Sequence, residues 1–337
     1  MDAGRGPIRA IARGAITRRN HRFCGDRSNS RSLAPHAGTL SFHSNEEAAT
    51  ASSLRRRRVP FPCNGRERKN AMTGTPNTRT ATVNGQWWGA RSRDWADIQE
   101  GQCRPVYEAA FVRLGLTPGT RYLDAGCGAG MAASLASRAG AVVTGLDASP
   151  ALIDVARQRL PAATFQVGEL EELPFDDDRF DVVTGFNSFQ YAGNPIVALR
   201  EAKRVTRPGG RVLVMTWGEP EGMPAAALVA ALRPLLPPPP PGAPGPFALS
   251  GESALRAFMT ESGLQPLEIF DVESAWQYEN LPLALRGLIS SGVAARAVAR
   301  SGESAVNAAH AQALAPFVRD DGSYVIPATF RCLIGQA

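Results

Sequence analysis

The sequence predicts an α/β protein with a doubly wound, mostly parallel sheet. Short apolar, strand-like runs alternate with stretches of helical periodicity from about residue 103 to residue 217. Glycine or proline closes most of these segments and keeps them separate. Each helix must return the chain to the same edge of the sheet, so the alternation indicates parallel strands with helices on both faces. Ligands in this architecture bind at the carboxyl ends of the strands.

The elements of the sheet region follow one another in a regular order. Ser149 before Pro150 is typical of a helix start, and Pro161 marks the end of that helix. Gly140 similarly ends the helix before it. The predicted helices cover residues 103–114, 130–138, 150–161 and 195–205, and the predicted strands cover residues 121–125, 141–146, 164–167, 180–184 and 211–217.

The alternation stops after Trp217. Prolines are dense between residues 234 and 246, which predicts a stiff polyproline II spacer at the surface, with a ligand for a partner domain as the alternative. Beyond the spacer, the sequence predicts a helix over 250–263, a strand over 267–272, a helical stretch over 281–317 and a closing strand over 323–334.

The positive charge of the chain belongs to one end. The formal net charge is +6, but residues 1–71 hold 15 Lys+Arg and 5 Asp+Glu, a net of +10, which leaves −4 for residues 72–337. We expect residues 1–71 to form a disordered basic leader. Its alternatives are an over-extended start or dispensable tail, a targeting segment, and a nucleic-acid-binding arm. The acidic balance of residues 72–337 opposes nucleic-acid binding by that part.

Composition also limits the class of protein. No apolar run reaches the ~18 residues of a membrane span, so no membrane span is expected. The five cysteines are scattered and form no CxxC pair, which argues against a disulfide framework or a zinc site. The default is therefore a reducing, cytoplasmic compartment, with organelle targeting by the leader as the alternative. No cluster of metal-ligating residues is evident.

The turn after the first strand concentrates the chemistry. Asp124 ends that strand, and Gly126, Gly128 and Gly130 lead into the next helix. Glycine permits positive φ and lets a ligand approach the backbone. The helix start offers free N–H groups suited to a carboxylate or phosphate. Asp124 offers an acceptor for an ammonium group or a water, and the third glycine comes one position too early for a dinucleotide fingerprint.

This turn resembles motif I of the class I S-adenosylmethionine-dependent methyltransferases, of the type 11 or ubiquinone/menaquinone-biosynthesis-like kind. Asp147 ends the second strand, where the family's acid holds the ribose hydroxyls. The run 168–175 looks like the family's GDAxxLPF segment, with Glu169 and Leu170 in place of Asp and Ala. The resemblance covers about residues 86–272. It implies a seven-stranded, Rossmann-like sheet with helical cap insertions.

The resemblance implies S-adenosylmethionine as the co-substrate and no metal. Taken singly, Asp147 could equally cap a helix, and Glu169 could belong to a solvated charge run. The cofactor-binding residues implied by the resemblance are Trp95, Asp124, Gly126, Cys127, Gly128, Gly130, Asp147, Ala148, Glu169, Leu170 and Asn187.

Direct displacement at a sulfonium methyl requires alignment and exclusion of water more than acid–base groups. The polar candidates near the methyl follow the fourth strand and are Asn187, Gln190 and Tyr191, although Tyr191 could equally be a packing residue. His310 is the only histidine after residue 71, and we expect it to be a surface or packing residue, with a general base as the alternative.

We expect residues 72–337 to form one methyltransferase domain, with lid or cap segments at about 86–102, 219–250 and 281–317. Trp95 is predicted to serve as an aromatic lid, with core packing as the alternative. The Ala-, Leu- and Pro-rich caps favour a small-molecule acceptor that is largely apolar.

The resemblance suggests C- or O-methylation of a quinone- or phenol-like compound or a secondary metabolite. The alternatives are an N-methyltransferase acting on a small amine, which Glu219 or Glu221 could meet, an inactive S-adenosylmethionine-binding protein, and an NAD(P)-dependent oxidoreductase.

Overall fold

The computed structural model describes residues 80–238 and 245–337. The predicted leader, residues 1–71, and the middle of the proline spacer lie outside the described residues. The strands are β1 (Arg121–Ala125), β2 (Val142–Asp147), β3 (Thr164–Val167), β4 (Phe180–Phe186), β5 (Thr206–Trp217), β6 (Gln265–Glu273), β7 (Trp276–Tyr278), β8 (Tyr324–Ile326) and β9 (Thr329–Gln336).

Eleven α-helices accompany the strands in the described part of the chain. They are α1 (Ala81–Gly89), α2 (Ser92–Asp94), α3 (Arg104–Leu114), α4 (Met131–Arg138), α5 (Pro150–Arg159), α6 (Pro195–Val205), α7 (Ala226–Ala231), α8 (Glu252–Glu261), α9 (Leu281–Ile289), α10 (Gly292–Ser301) and α11 (Glu303–Leu314).

Seven strands form one sheet in the order β3-β2-β1-β4-β5-β9-β6. The first five pair in parallel, and β9 pairs antiparallel with both β5 and β6. One buried cluster packs α3, α4 and α5 on the sheet, and another packs α6 and α8. The predicted doubly wound, mostly parallel seven-stranded fold is therefore confirmed.

The register of the parallel strands places the predicted site residues at one edge. Asp124 on β1 lies between Gly145 of β2 and Thr184 of β4. Asp147 is the last residue of β2, beside Val167 of β3. The loops that follow these strands consequently open on the same side of the sheet.

The expected helical stretch over 281–317 is confirmed and consists of α9, α10, α11 and a short 3-10 turn. The expectation of a single closing strand is wrong. The closing strand over 323–334 is two strands, since Pro327 and Ala328 separate β8 from β9. Proline donates no N–H to a ladder, which favours a break there. β8 pairs instead with β7, an unpredicted strand, in a separate two-stranded sheet.

Within the described residues, no single helix has both the length and the apolar character to cross a membrane. Taken together, α9 and α10 have the length and composition of a membrane-spanning helix, but the two helices bend by 94° at their junction.

Candidate functional site

A cleft opens at the carboxyl ends of β1, β2 and β4. Eight of the eleven predicted cofactor residues line it, and the other three, Asp124, Cys127 and Gly130, are not among its lining residues. The lining comprises Ala81, Asn84, Trp88, Trp95, Cys103, Tyr107, Gly126, Gly128, Asp147, Ala148, Leu152, Glu169, Leu170, Phe186, Asn187, Ser188, Tyr191, Ala192 and Met215.

The three glycines of the turn have different tasks. All three have positive φ, between +54° and +83°. A Cβ on Gly126 would lie 2.3 Å from Cβ of Ser188, and one on Gly130 would lie 2.9 Å from Cβ of Ala156. Gly126 and Gly130 therefore allow close packing, whereas Gly128 lines the cleft between polar groups of Trp95 and Glu100.

Asp124 holds a carboxyl group that the protein leaves partly unpaired. It is buried, with 1% of its surface exposed. Its Oδ1 accepts a bond from Oγ1 of Thr184 at 3.4 Å, and its Oδ2 has no hydrogen-bond partner in the described structure. Burial first, and the charge of Glu100 second, raise the pKa of Asp124 to about 8. A buried acceptor without a partner fits a ligand that supplies a cationic donor.

Asp147 braces two loops at the mouth of the cleft. Its Oδ2 accepts the Gly128 N–H at 2.9 Å and its Oδ1 accepts the Ser149 N–H at 2.8 Å. Ser149, and not Asp147, caps α5 through the Leu152 N–H. Burial raises the pKa of Asp147, and these backbone donors oppose the rise. Each carboxylate oxygen keeps a further lone pair, so the group can also accept from paired hydroxyls.

Glu169 faces the cleft but is engaged by the chain itself. Its Oε1 accepts the Leu170 N–H at 3.1 Å, and its Oε2 accepts the Ala81 N–H at 2.9 Å. The second bond comes from the start of α1, a helix that no local sequence signal predicts. The position implied for adenine recognition is thus also a contact point for a helix.

The candidates after β4 are brought together in part. Gln190 donates from Nε2 to Oδ1 of Asn187, and its Oε1 has no partner in the described structure. Asn187 and Tyr191 line the cleft and Gln190 does not. Burial raises the pKa of Tyr191 to about 12, and its ring centroid lies 5.3 Å from that of Trp88. Tyr191 therefore contributes packing and is not ionised near neutral pH.

Glu100 lies beside Gly128 of the cleft, and no local sequence pattern predicts it there. It is buried, and its Oε1 accepts the Met131 N–H at 3.3 Å, at the start of α4. Arg159 pairs with its Oε2 and also donates to the Ala129 carbonyl at 2.8 Å. Burial raises the pKa of Glu100, and Arg159 opposes the rise. The helix start expected to meet a ligand anion is therefore occupied by the chain's own carboxylate.

The other end of the cleft is apolar. Phe186 and Met215 line it together with Cys103 and Tyr107. Burial raises the pKa of Cys103 to about 12 and raises that of Tyr107 well above its ordinary value. Neither group is therefore an ionised nucleophile or a general base near neutral pH.

The remaining candidates lie away from the cleft. His310 is 2% exposed on α11, and burial lowers its pKa to about 4, so it is a neutral packing residue. Glu219 pairs with Arg331 at 2.9 Å, and neither Glu219 nor Glu221 lines the cleft. Among the described residues, no three His, Cys, Asp or Glu side chains are grouped to hold a metal ion.

The three predicted lid or cap segments differ in whether they line the cleft. Trp95 lines the cleft, its Nε1 is buried without a hydrogen-bond partner, and its ring centroid lies 5.1 Å from that of Trp88. Within the described residues, 80–238 and 245–337, none of the residues that line the cleft belongs to the segments 219–250 or 281–317. The second of these packs on α1 instead, where Gly292 meets the ring of Trp88.

This sheet order and this cleft define a domain of the class I methyltransferase fold. Residues 123–214 match the sequence model of a family described as "Methyltransferase domain".

Curated relatives agree with this placement. A malonyl-[acyl-carrier protein] O-methyltransferase of Serratia marcescens is 40% identical over 29% of this chain and 39% of its own length. A ubiquinone biosynthesis O-methyltransferase of Alkalilimnicola ehrlichii is 34% identical over 38% of this chain and 56% of its own. A demethylmenaquinone methyltransferase of Renibacterium salmoninarum is 35% identical over 36% of this chain and 52% of its own length. The chain thus spans well under two thirds of the length of these relatives.

Proposed function

We propose that this protein transfers the methyl group of S-adenosylmethionine to a small, largely apolar acceptor. The observation that carries the proposal is the buried carboxyl of Asp124, whose Oδ2 lacks a partner beneath a glycine turn closed by Asp147. This arrangement fits a ligand with an ammonium group at one end and vicinal hydroxyls at the other.

The residues present fit S-adenosylmethionine in the arrangement that the family resemblance implies. Asp124 would receive the ammonium group, Asp147 the ribose hydroxyls, and Glu169 with the Leu170 N–H the adenine ring. The bound cofactor supplies a methyl group already activated on a sulfonium. Trp88 and Trp95 line the cleft in edge-to-face contact, and their rings would shield the methyl group from water.

The character of the acceptor follows from what the cleft offers. The apolar part of its lining includes Phe186 and Met215. Cys103 and Tyr191 have pKa values of about 12, so neither takes up a proton from the acceptor near neutral pH. We favour an acceptor that is nucleophilic without such help, such as a phenolate or an electron-rich carbon of a quinone-like ring. The relatives that include a ubiquinone biosynthesis O-methyltransferase and a demethylmenaquinone methyltransferase support this class.

The test is transfer of labelled methyl to fractionated host metabolites, with Asp147→Ala as the variant. We expect this change to raise the dissociation constant for S-adenosylmethionine by on the order of a hundredfold, because it removes charge-assisted hydrogen bonds. The matched control is Asp154→Ala, an exposed carboxylate on the same side of the sheet that pairs with Arg157.

Equal labelling by wild type and Asp147→Ala would contradict the proposed cofactor site. Tight binding of S-adenosylmethionine with no transfer to any fraction would identify an inactive binding protein. A thermal shift with NADH and none with S-adenosylmethionine would indicate the oxidoreductase alternative.

A further inference from the structure

Helix α1 lies across the half of the cleft that the proposed function gives to the nucleoside. Its first N–H, from Ala81, is accepted by Oε2 of Glu169 in the loop after β3, at 2.9 Å. Its Asn84 side chain donates from Nδ2 to the Tyr191 carbonyl after β4, at 2.7 Å. Ala81 and Asn84 both line the cleft. One helix therefore bonds to two of the loops that surround the site.

The same helix is seated against the loop after β2. A Cβ on Gly85 would lie 2.2 Å from the Ala148 carbonyl oxygen, and one on Gly89 would lie 2.5 Å from Oγ of Ser149. Backbone-to-backbone contact of this closeness requires glycine at position 85. Val83, on the other side of the helix, is 52% exposed.

The length of Glu169 has a structural purpose here. Where the resembled family has an Asp, this chain has a side chain one methylene longer. With that length, one carboxylate accepts both the Leu170 N–H of its own loop and the Ala81 N–H of α1. Each oxygen retains a lone pair for a donor in the cleft.

We propose that α1 is a lid over the cofactor and that Glu169 is the positioning residue that latches it. This inference rests on the proposed function. In this proposal α1 covers a ligand held at Asp147 and Glu169, and it releases Glu169 and lifts from Ala148 before product leaves. Cofactor exchange is then limited by this opening.

The experiment measures how fast S-adenosylhomocysteine dissociates from the full chain, by stopped-flow fluorescence of Trp88 and Trp95. Gly85→Ala prevents seating without changing any group that lines the cleft, and alanine keeps α1 helical. Glu169→Asp keeps the charge and shortens the latch. Val83→Ala is the matched control on the exposed side of α1. Hydrogen exchange of the α1 amides in the ligand-free proteins is the second readout.

We expect dissociation to accelerate by on the order of tenfold in Gly85→Ala and Glu169→Asp, the scale of one lost charge-assisted hydrogen bond. Val83→Ala should match wild type, and the α1 amides should exchange faster in Glu169→Asp. A folded Gly85→Ala that releases ligand at the wild-type rate would overturn the lid, as would unchanged exchange in Glu169→Asp. If wild type binds neither S-adenosylmethionine nor S-adenosylhomocysteine, the proposed function fails and the lid's role fails with it, while the exchange data still report separately on the latch.

Discussion

At the scale of single residues, Asp124 makes stability depend on pH. Its pKa of about 8 in the folded protein lies above that of an exposed carboxyl, because burial disfavours the charged form. Between about pH 4 and pH 8 the folded state therefore holds a proton that the unfolded state has released. The contribution of Asp124 is fully present below that window, and the free energy of unfolding falls as pH rises through it.

We predict that Asp124→Asn flattens this dependence in the ligand-free protein. Urea unfolding at several pH values between about 5 and 8.5 measures it. Asp154→Asn, an exposed carboxylate, is the control and should keep the wild-type slope. The same slope in Asp124→Asn and wild type would show that another group carries the dependence.

Burial favours the neutral form of Asp124, and ligand binding should favour its ionised form instead. An ammonium group next to the carboxyl favours its ionised form, so binding below about pH 8 releases a proton. We predict that the affinity for S-adenosylmethionine rises with pH up to about 8 in wild type and less steeply in Asp124→Asn. Calorimetry in buffers with different ionisation enthalpies measures the released proton. An equal proton release by both proteins would remove Asp124 from the ammonium site.

At the scale of elements, the N-terminal helix is joined to the C-terminal helices. A Cβ on Gly292, at the start of α10, would lie within 2.8 Å of three ring atoms of Trp88 on α1. Two ion pairs reinforce this junction, Arg91 with Glu303 at 2.6 Å and Arg286 with Asp94 at 2.5 Å. These pairs are largely at the surface and contribute little each, so the packing of Trp88 against Gly292 is the stronger link.

We predict that Gly292→Ala destabilises the protein by about 1–3 kcal/mol, the usual cost of overpacking. The sign is informative, since alanine in place of glycine stabilises an unobstructed helix by up to about 1 kcal/mol. Chemical denaturation measures the difference, with Ala299→Ser on the exposed side of α10 as the control. A gain in stability in Gly292→Ala would mean that the Trp88 ring does not fill the space beside Gly292.

The sequence predicts elements whose signals are local. The strands of the parallel sheet, the caps at Ser149 and the glycine turn are each encoded within a few residues, and the structure contains them. The strand β7 has only three residues, and its partner β8 follows 45 residues after it ends. Pairing over such a separation leaves no trace in hydrophobic periodicity.

The candidate site also contains residues that a local signal predicts and contacts that no local signal predicts. Asp124, Gly128 and Asp147 lie at strand ends and could be predicted from their position in the chain. Glu100 reaches the start of α4 across 31 residues, and Ala81 reaches Glu169 across 88. A carboxylate among polar neighbours, or a backbone N–H, carries no local signal of such a distant partner. The sequence therefore predicted the strand-end residues of the site and the place of Trp95 at the cleft, but it did not predict the contact of α1 with Glu169.

At the scale of the whole molecule, charge and site belong to different parts of the chain. The formal charge of +6 combines +10 from residues 1–71 with −4 from residues 72–337. The residues that line the cleft in the described structure lie between Ala81 and Met215. The basic segment thus adds a long-range field of opposite sign to that of the part that carries the cleft.

We predict that a chain beginning at Met72 binds S-adenosylmethionine within about twofold of the full chain, because the residues that line the cleft in the described structure all follow residue 80. Its retention on a cation exchanger or on DNA should be lost, because the formal charge changes from +6 to −4. Titration calorimetry of both proteins at low and at moderate salt measures the first effect and salt-gradient elution the second. A large loss of affinity at both salt concentrations would give the basic segment a direct part in the site. A loss confined to low salt would instead assign it an electrostatic influence, since screening removes the field but leaves contacts in place.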